Sequence, residues 1–296
     1  MKTKRIRPGL IASYIILVLA SVVLLYPLIF MITGSLVTIE EYSRVRLLPL
    51  PSHIDLTQYW EVLVDILPSV RITIIRVLWY IALALSVSLL GGYVFSRLRF
   101  PGRQFLFMFF LTGLVVPPVL TSLPTYVMLA RAPLIGGNDI LGAGGSGFIN
   151  EWPSLLILGM VDVFAMFLVK QNYDMLPSEY EEAALLDGAN LFTIIFRVYA
   201  PMLKPALFAV VIITFVNVWN DYFFPLLLVA GNQDLTPVAL RVQRVIYNYA
   251  VAAGLSAFPY PVLFATATLI SLPPVVLYLI LQRYFVQGLS ASGLKG

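Results

Sequence analysis

The sequence predicts an all-α integral membrane protein: six transmembrane helices, with a short cytoplasmic helix between the fourth and the fifth. Three observations predict it. Hydrophobic residues fill 60% of the 296 positions, charged residues only 11%, and the mean hydropathy is +0.91. Soluble domains run near roughly 45–50% apolar and about 25% charged. Six apolar runs recur along the chain, each long enough to cross a hydrocarbon core that needs about 20 helical residues. The basic residues gather beside alternate ends of those runs, as membrane orientation requires. Residues 1–296 read as one membrane domain.

The first run, 10–33, follows Lys2, Lys4, Arg5 and Arg7. A secretory signal peptide also begins this way, but its apolar core spans roughly 7–15 residues and ends in a small-residue cleavage site. This run is longer, lacks such a site and is followed by more spans, so it reads as a retained first helix. The others cover 72–96, 105–130, 153–169, 205–229 and 261–284. Lys and Arg are held preferentially on the cytoplasmic side. The amino-terminal four, with Arg97, Arg99, Arg103, Lys170, Arg197, Lys204, Arg283 and Lys295, put 12 of the 19 basic residues on one face. Both termini are therefore expected in the cytoplasm of a multi-pass cell-membrane protein. Arg44, Arg46, Arg71, Arg131, Arg241 and Arg244 fall outside, and Arg76, one turn into the second span, is expected to snorkel outward.

Two external segments, 35–70 and 234–260, carry charged and aromatic residues and read as structured docking surface. A third, 135–152, has the glycine content of a flexible loop, concentrated at 136–147.

The absence of cysteine excludes disulfides, iron–sulfur clusters and thiolate zinc sites, and a single histidine, His53, removes most imidazole chemistry. No metal site is expected. A net charge of +4 spread over short loops fits orientation in lipid, and no nucleic-acid partner is expected.

The loop between the fourth and fifth spans is the most informative. Ser178 after Pro177, with Glu181 three residues on, reads as a capping box opening a helix. Acids in its first turn complement the helix dipole. Gly188 supplies the left-handed stop, and Asn190 can cap a second short helix. A helix lying on lipid would be rich in Lys and Arg, whereas this one is acidic. Insertion into a cleft of another protein is the better reading.

Inside the membrane a charge costs roughly 2.5–3.5 kcal/mol on insertion scales, so Asp162 and Asp221 should face a cavity or a partner. Asp162 is eight residues from Lys170, too far for a local pair, so its partner is expected on another helix or in water. Asn217, Asn220 and Asp221 share one helical face, a polar stripe able to meet sugar hydroxyls or to bond neighbouring helices. Ala84, Ser88 and Gly92 form a small-residue face for close packing. Pro117, Pro118, Pro124, Pro273 and Pro274 are expected to kink their helices.

Glu182-Ala183-Ala184, then Asp187-Gly188 with Pro201 and Pro205 downstream, resembles the EAA loop of binding-protein-dependent ABC importer permeases. The stretch 97–103 (RLRFPGR), Trp219-Asn-Asp-Tyr222 and the terminal segment 282–296 resemble the carbohydrate-uptake branch, in particular its maltose-type second permease subunit. Tyr180 departs from the Leu often found there. The resemblance implies six spans and an ATPase-coupling helix whose contact residues are Glu181, Glu182, Ala183, Ala184, Asp187 and Gly188. It also implies a translocation path for which Asp162, Asn217, Asn220 and Asp221 are candidates. Implied partners are a second permease subunit, ABC ATPase subunits, an extracytoplasmic sugar-binding protein and membrane lipid. The chain itself would bind no cofactor; ATP and Mg would sit on the partner ATPase, consistent with the lack of a Walker-type run here. By the same analogy residues 288–296 reach the interface between ATPase subunits, or are a frayed end. Importers of peptide or phosphate on the same architecture remain alternatives, as does an intramembrane enzyme using Asp162 and Asp221 together.

Overall fold

The computed structural model describes residues 8–43, 47–252 and 259–292, and among these every regular element is helical. The amino-terminal basic cluster, Arg44, Arg46 and Lys295 lie outside the described residues, as do positions 293–296 of the proposed tail; of Arg283 and 288–292 only the backbone is described.

In chain order the helices are α1 (Pro8–Gly34), α2 (Ile39–Tyr42), α3 (Thr57–Arg97), α4 (Arg103–Thr112), α5 (Pro118–Ala130), α6 (Trp152–Ile157) and α7 (Val163–Asp174). Then come α8 (Glu179–Leu186), α9 (Leu191–Thr193), a π-helical turn (Ile194–Tyr199), α10 (Ala200–Met202), α11 (Lys204–Asn220) and α12 (Phe223–Leu228). A 3-10 turn (Gln233–Leu235), α13 (Val238–Ala252) and α14 (Tyr260–Ser292) complete the chain.

Three helical stretches are long and apolar enough to cross a bilayer alone: Ser13–Gly34, Thr57–Arg97 and Tyr260–Gln282. They coincide with the first, second and sixth predicted runs. The other three predicted runs are each broken in two. Pro117, lacking an amide hydrogen, separates α4 from α5, and Pro118 takes the first turn of α5, where that lack costs nothing. Gly159, at φ +77°, and Asp162 separate α6 from α7. Asp221, in extended conformation, ends α11 before α12. The stretch Leu191–Met202 meets α11 at a bend of 83°, where Leu203 intervenes and Pro205 sits in the first turn of α11. In α14 the helix continues through Pro273 and Pro274.

The chain forms two compact units, Met1–Leu67 with Val242–Leu272, and Pro68–Arg241 with Pro273–Gly296. Both α3 and α14 pass between units at a proline, Pro68 and Pro273. In the first unit α1 is exposed from residue 13 to residue 29, as befits a helix whose solvent is lipid. Phe30 meets Phe264 edge to face at 5.7 Å, and a Cβ on Gly34 would stand 2.7 Å from the Phe264 ring, so only glycine permits this approach. The segment after α1 is structured, as its composition suggested. Thr38 and Glu41 form a capping box on α2, Gln58 donates to the Val37 carbonyl at 3.0 Å, and Val37, Val62 and Ile66 are buried.

The second unit has two apolar cores. Ala84, Leu89, Tyr93, Ala165, Val169, Tyr173, Ile194, Tyr199 and Val210 join α3, α7, the π-helical turn and α11. The predicted small-residue face makes this contact: Ala84 and Ser88 are buried, and a Cβ on Gly92 would stand 3.2 Å from the Lys170 amide nitrogen, Val169 and Tyr173. The other core gathers Ile72, Leu129, Ile149, Leu155, Leu228, Val229 and Leu235.

The glycine-rich segment is a built loop rather than the flexible one its composition suggested. Asn138, buried, donates to the carbonyls of Ala130 (2.8 Å) and Ala132 (3.0 Å) and accepts from the Gly145 amide (2.8 Å). Asp139 accepts from the amides of Leu141 and Ala143. These bonds to the ionised form, that from Ala143 foremost, hold the Asp139 carboxyl below its ordinary value of 3.8. Composition reported backbone freedom, whereas the glycines serve close approach: a Cβ on Gly145 would lie 2.1 Å from the Gly136 carbonyl oxygen.

Candidate functional site

The three broken spans open onto one cavity of about 670 Å³ in the second unit. Its wall includes Gly113, Leu114 and Val116 from the first break, Leu158, Gly159, Val161 and Asp162 from the second, and Asp221 with Phe224 and Pro225 from the third. Irregular backbone at membrane depth carries unpaired amides and carbonyls, which is tolerable only where they face protein or a water-filled space. The breaks and the cavity are therefore one feature.

Both intramembrane acids line this space, each with a definite partner. Asp162 caps α7, its carboxylate accepting from the Ala165 amide at 2.9 Å. The expected partner on another helix is thus replaced by the free amino-terminal amide of its own, which the break exposes. Asp221 pairs with Arg76 of α3, Nη2 to Oδ2 at 2.7 Å. Arg76 is only 3% exposed and lies 5.9 Å over the Tyr80 ring. It does not snorkel outward as expected, because a carboxylate 145 residues away compensates the buried guanidinium. Its Nε and Nη1 have no hydrogen-bond partner.

Asn217 also lines the cavity. Asn220 turns back to donate to the Val216 carbonyl at 2.9 Å, yet with Asn217 and Asp221 it borders a shallower hollow of about 410 Å³ beside Pro118. The polar stripe therefore exists, with Asn217 and Asp221 facing the larger space.

At the other end of this unit α8 projects with no buried residue. Its termination follows the expected chemistry. Gly188 takes φ +78°, its amide donates to Leu185 and the Ala189 amide to Ala184, a Schellman turn. Asn190 caps α9 by accepting from the Thr193 amide at 2.9 Å.

Its start does not follow. Ser178 has helical backbone angles (φ −72°, ψ −20°) and makes no side-chain cap bond, so no capping box forms. The Ser178 carbonyl already accepts from the amides of Glu181 and Glu182, and the Glu181 carboxylate is engaged elsewhere. It accepts from the Tyr93 and Tyr199 hydroxyls, the latter at 3.0 Å. Glu181 and Ala184 are the inward residues of α8; Glu182, Ala183, Asp187 and Gly188 are exposed, together with Tyr180, Leu185 and Leu186. Arg97 fixes the chain entering α8, donating to the carbonyls of Tyr173 (2.7 Å) and Leu176 (2.6 Å). Sequence reasoning assigned the site no role for Tyr93 or Tyr199, read Arg76 as an outward-reaching cation and Arg97 only as an orientation and motif residue; the pairings of all four join elements distant in the chain.

A sequence model of the binding-protein-dependent transport system inner membrane component matches residues 87–291, a span that holds the cavity breaks and α8. The chain belongs to this family. Such components are ABC importer permease subunits: membrane proteins of transport systems, not enzymes, which work with ATPase and binding-protein partners. Among relatives, the arabinooligosaccharides transport system permease protein AraQ of Halalkalibacterium halodurans is 28% identical over 73% of this permease and 70% of its own length. The sn-glycerol-3-phosphate transport system permease protein UgpE of Pectobacterium atrosepticum is 32% identical over 70% of this chain and 67% of its own. A crystal structure of a bacterial ABC transporter involved in the import of the acidic polysaccharide alginate superposes with a TM-score of 0.77 at 22% identity, covering 96% of this permease and 99% of that chain. The permease fold is thereby shared along nearly the whole chain.

Proposed function

We propose that this permease forms half of the translocation path of an ATP-driven importer of neutral sugars, oligosaccharides or related carbohydrates, and is driven through α8 by a separate ATPase. The observation that carries this reading is α8: a rigid helix with a glycine-locked end, presenting Tyr180, Leu185 and Leu186 to solvent beside Glu182 and Asp187. Exposed apolar side chains on an ordered projection mark a surface that protein or lipid covers, and the acids beside them favour protein.

In this reading both termini and α8 lie in the cytoplasm, a second permease subunit stands across the path, and a sugar-binding protein docks on the opposite face. ATP and Mg are bound by the ATPase subunits, whose closure swings the spans between inward- and outward-facing states. The cavity wall carries two carboxylates, Asp162 and Asp221, against one guanidinium, Arg76. A phosphate about 6 Å from Asp162 is opposed by about 3 kcal/mol per charge at an effective dielectric of about 20, offset in part by the amino terminus of α7 that Asp162 caps. Neutral carbohydrate, as named for the arabinooligosaccharide relative, therefore fits better than a phosphate ester.

The test uses the reconstituted importer. Labelled neutral oligosaccharide should be taken up and glycerol phosphate excluded, and Gly188→Asp should abolish binding-protein-stimulated ATP hydrolysis while the spans stay folded. Wild-type hydrolysis in that variant refutes the role of α8, and equal uptake of phosphate ester refutes the substrate class.

A further inference from the structure

We infer that Glu181 faces its own membrane domain as the joint that carries movement of α8 into the spans, leaving contact with the ATPase to Glu182 and its exposed neighbours. The inference rests on α8 being the coupling helix.

Adjacent helical residues point about 100° apart. Here two consecutive acids diverge, Glu182 outward to solvent and Glu181 inward. The inward face of α8 is small. Ala184 offers one methyl group to the apolar core, and Glu181 supplies the polar hold. Its two oxygens take hydroxyls from two elements, Tyr93 near the end of α3 and Tyr199 at the close of the π-helical turn. Both phenols are buried, and both pack on Tyr173 of α7, with ring centroids 6.0 and 5.1 Å away.

The π-helical turn contributes directly. Its wider winding, with the Ala200 amide reaching back to Ile195, accompanies burial of Ile194, Ile195 and Tyr199. Such turns recur at functional sites because they re-aim one side chain. Arg97 completes the joint, gripping the carbonyls that lead into α8 and lying 5.3 Å over the Tyr199 ring. Force on α8 thus reaches α3, α7 and the turn before α11 through directional bonds. A carboxylate accepting two hydroxyls resists rotation, which a lone methyl contact cannot do.

The chain has no cysteine, so Thr121→Cys on the cavity wall gives it a single thiol, whose labelling is read on this subunit after separation from its partners. In the complete importer, its labelling rate by an impermeant maleimide is measured with and without Mg-ATP. Retention and hydrolytic activity of the ATPase are scored in parallel. Glu181→Leu, and separately Tyr93→Phe with Tyr199→Phe, should keep the ATPase bound and hydrolysing while the Mg-ATP response of the reporter falls about tenfold. Glu181→Gln, whose amide oxygen still accepts one hydroxyl, should fall less.

An unchanged response in Glu181→Leu or in the tyrosine pair overturns the joint. So does loss of the ATPase in Glu181→Leu but not in the tyrosine pair, since Glu181 would then touch the ATPase itself. If Gly188→Asp leaves ATPase binding and the reporter response intact, the coupling-helix reading fails, and this inference with it.

Discussion

Removing one member of the Arg76–Asp221 pair should cost very different amounts according to which is removed. Arg76 is 3% exposed, and two of its nitrogens already lack partners, while the Asp221 side chain keeps 24% exposure on the cavity wall. Asp221→Leu strands a buried guanidinium, a loss of about 3–5 kcal/mol. Arg76→Met leaves a carboxylate that cavity water can reach, a loss nearer about 1–3 kcal/mol. The double variant Arg76→Met, Asp221→Leu replaces the pair by apolar side chains, the larger Leu having the cavity to enter, and should fall within about 1 kcal/mol of wild type. Unfolding in mixed micelles, followed by fluorescence of the tryptophans, gives the double-variant cycle; Trp219, buried and stacked on Phe215 at 5.5 Å, lies two residues from the perturbation. Equal losses in the single variants, or a double loss equal to their sum, would refute the argument that burial sets the asymmetry.

Gly145→Ala should open the glycine-rich loop, because the new methyl meets backbone at 2.1 Å, whereas Gly137→Ala meets nothing closer than 3.8 Å and pays only for φ +84°, about 1–2 kcal/mol. Limited proteolysis across 134–147 should separate the two, with Gly145→Ala cut first. The Asp139 carboxyl is depressed when folded, so its contribution is present above the ordinary value of 3.8 and is lost as pH falls through the lower folded value. Hydrogen exchange at Leu141 and Ala143 should therefore lose protection only below pH 3.8, and Asp139→Asn should remove that step; loss already at pH 5 would contradict it.

The parts legible in the sequence were those fixed by neighbours in the chain. Gly188 and Asn190 end and start helices through bonds within five residues, so their residue types suffice. The Ser178 box had the same local logic and failed because a tertiary contact won: two tyrosines from other elements took the Glu181 carboxylate. Arg76 and Asp221 were each visible as ions in an apolar run, but their pairing joins elements 145 residues apart, which no spacing encodes. The glycine-rich loop misled because composition reports how free a backbone is, not what Asn138 and Asp139 do with that freedom.

Hydropathy also hid the breaks, since a window average stays high across 153–169 whether or not the helix is continuous. The cues were single residues, Pro117, Gly159 and Asp221, that a continuous helix would tolerate poorly. Their convergence on one cavity supplies the reason to keep them. A helix broken in lipid leaves polar backbone groups unpaired at several kcal/mol each, whereas three breaks around one shared cavity turn those groups away from lipid. Asp162 and Asp221 follow from the same requirement, one capping the amide end that its break exposes and the other ending α11 while neutralising Arg76. With both acids committed to the scaffold, the proposed path keeps Asn217, Thr121 and Thr214 among the uncharged polar side chains on that wall for a sugar hydroxyl to meet.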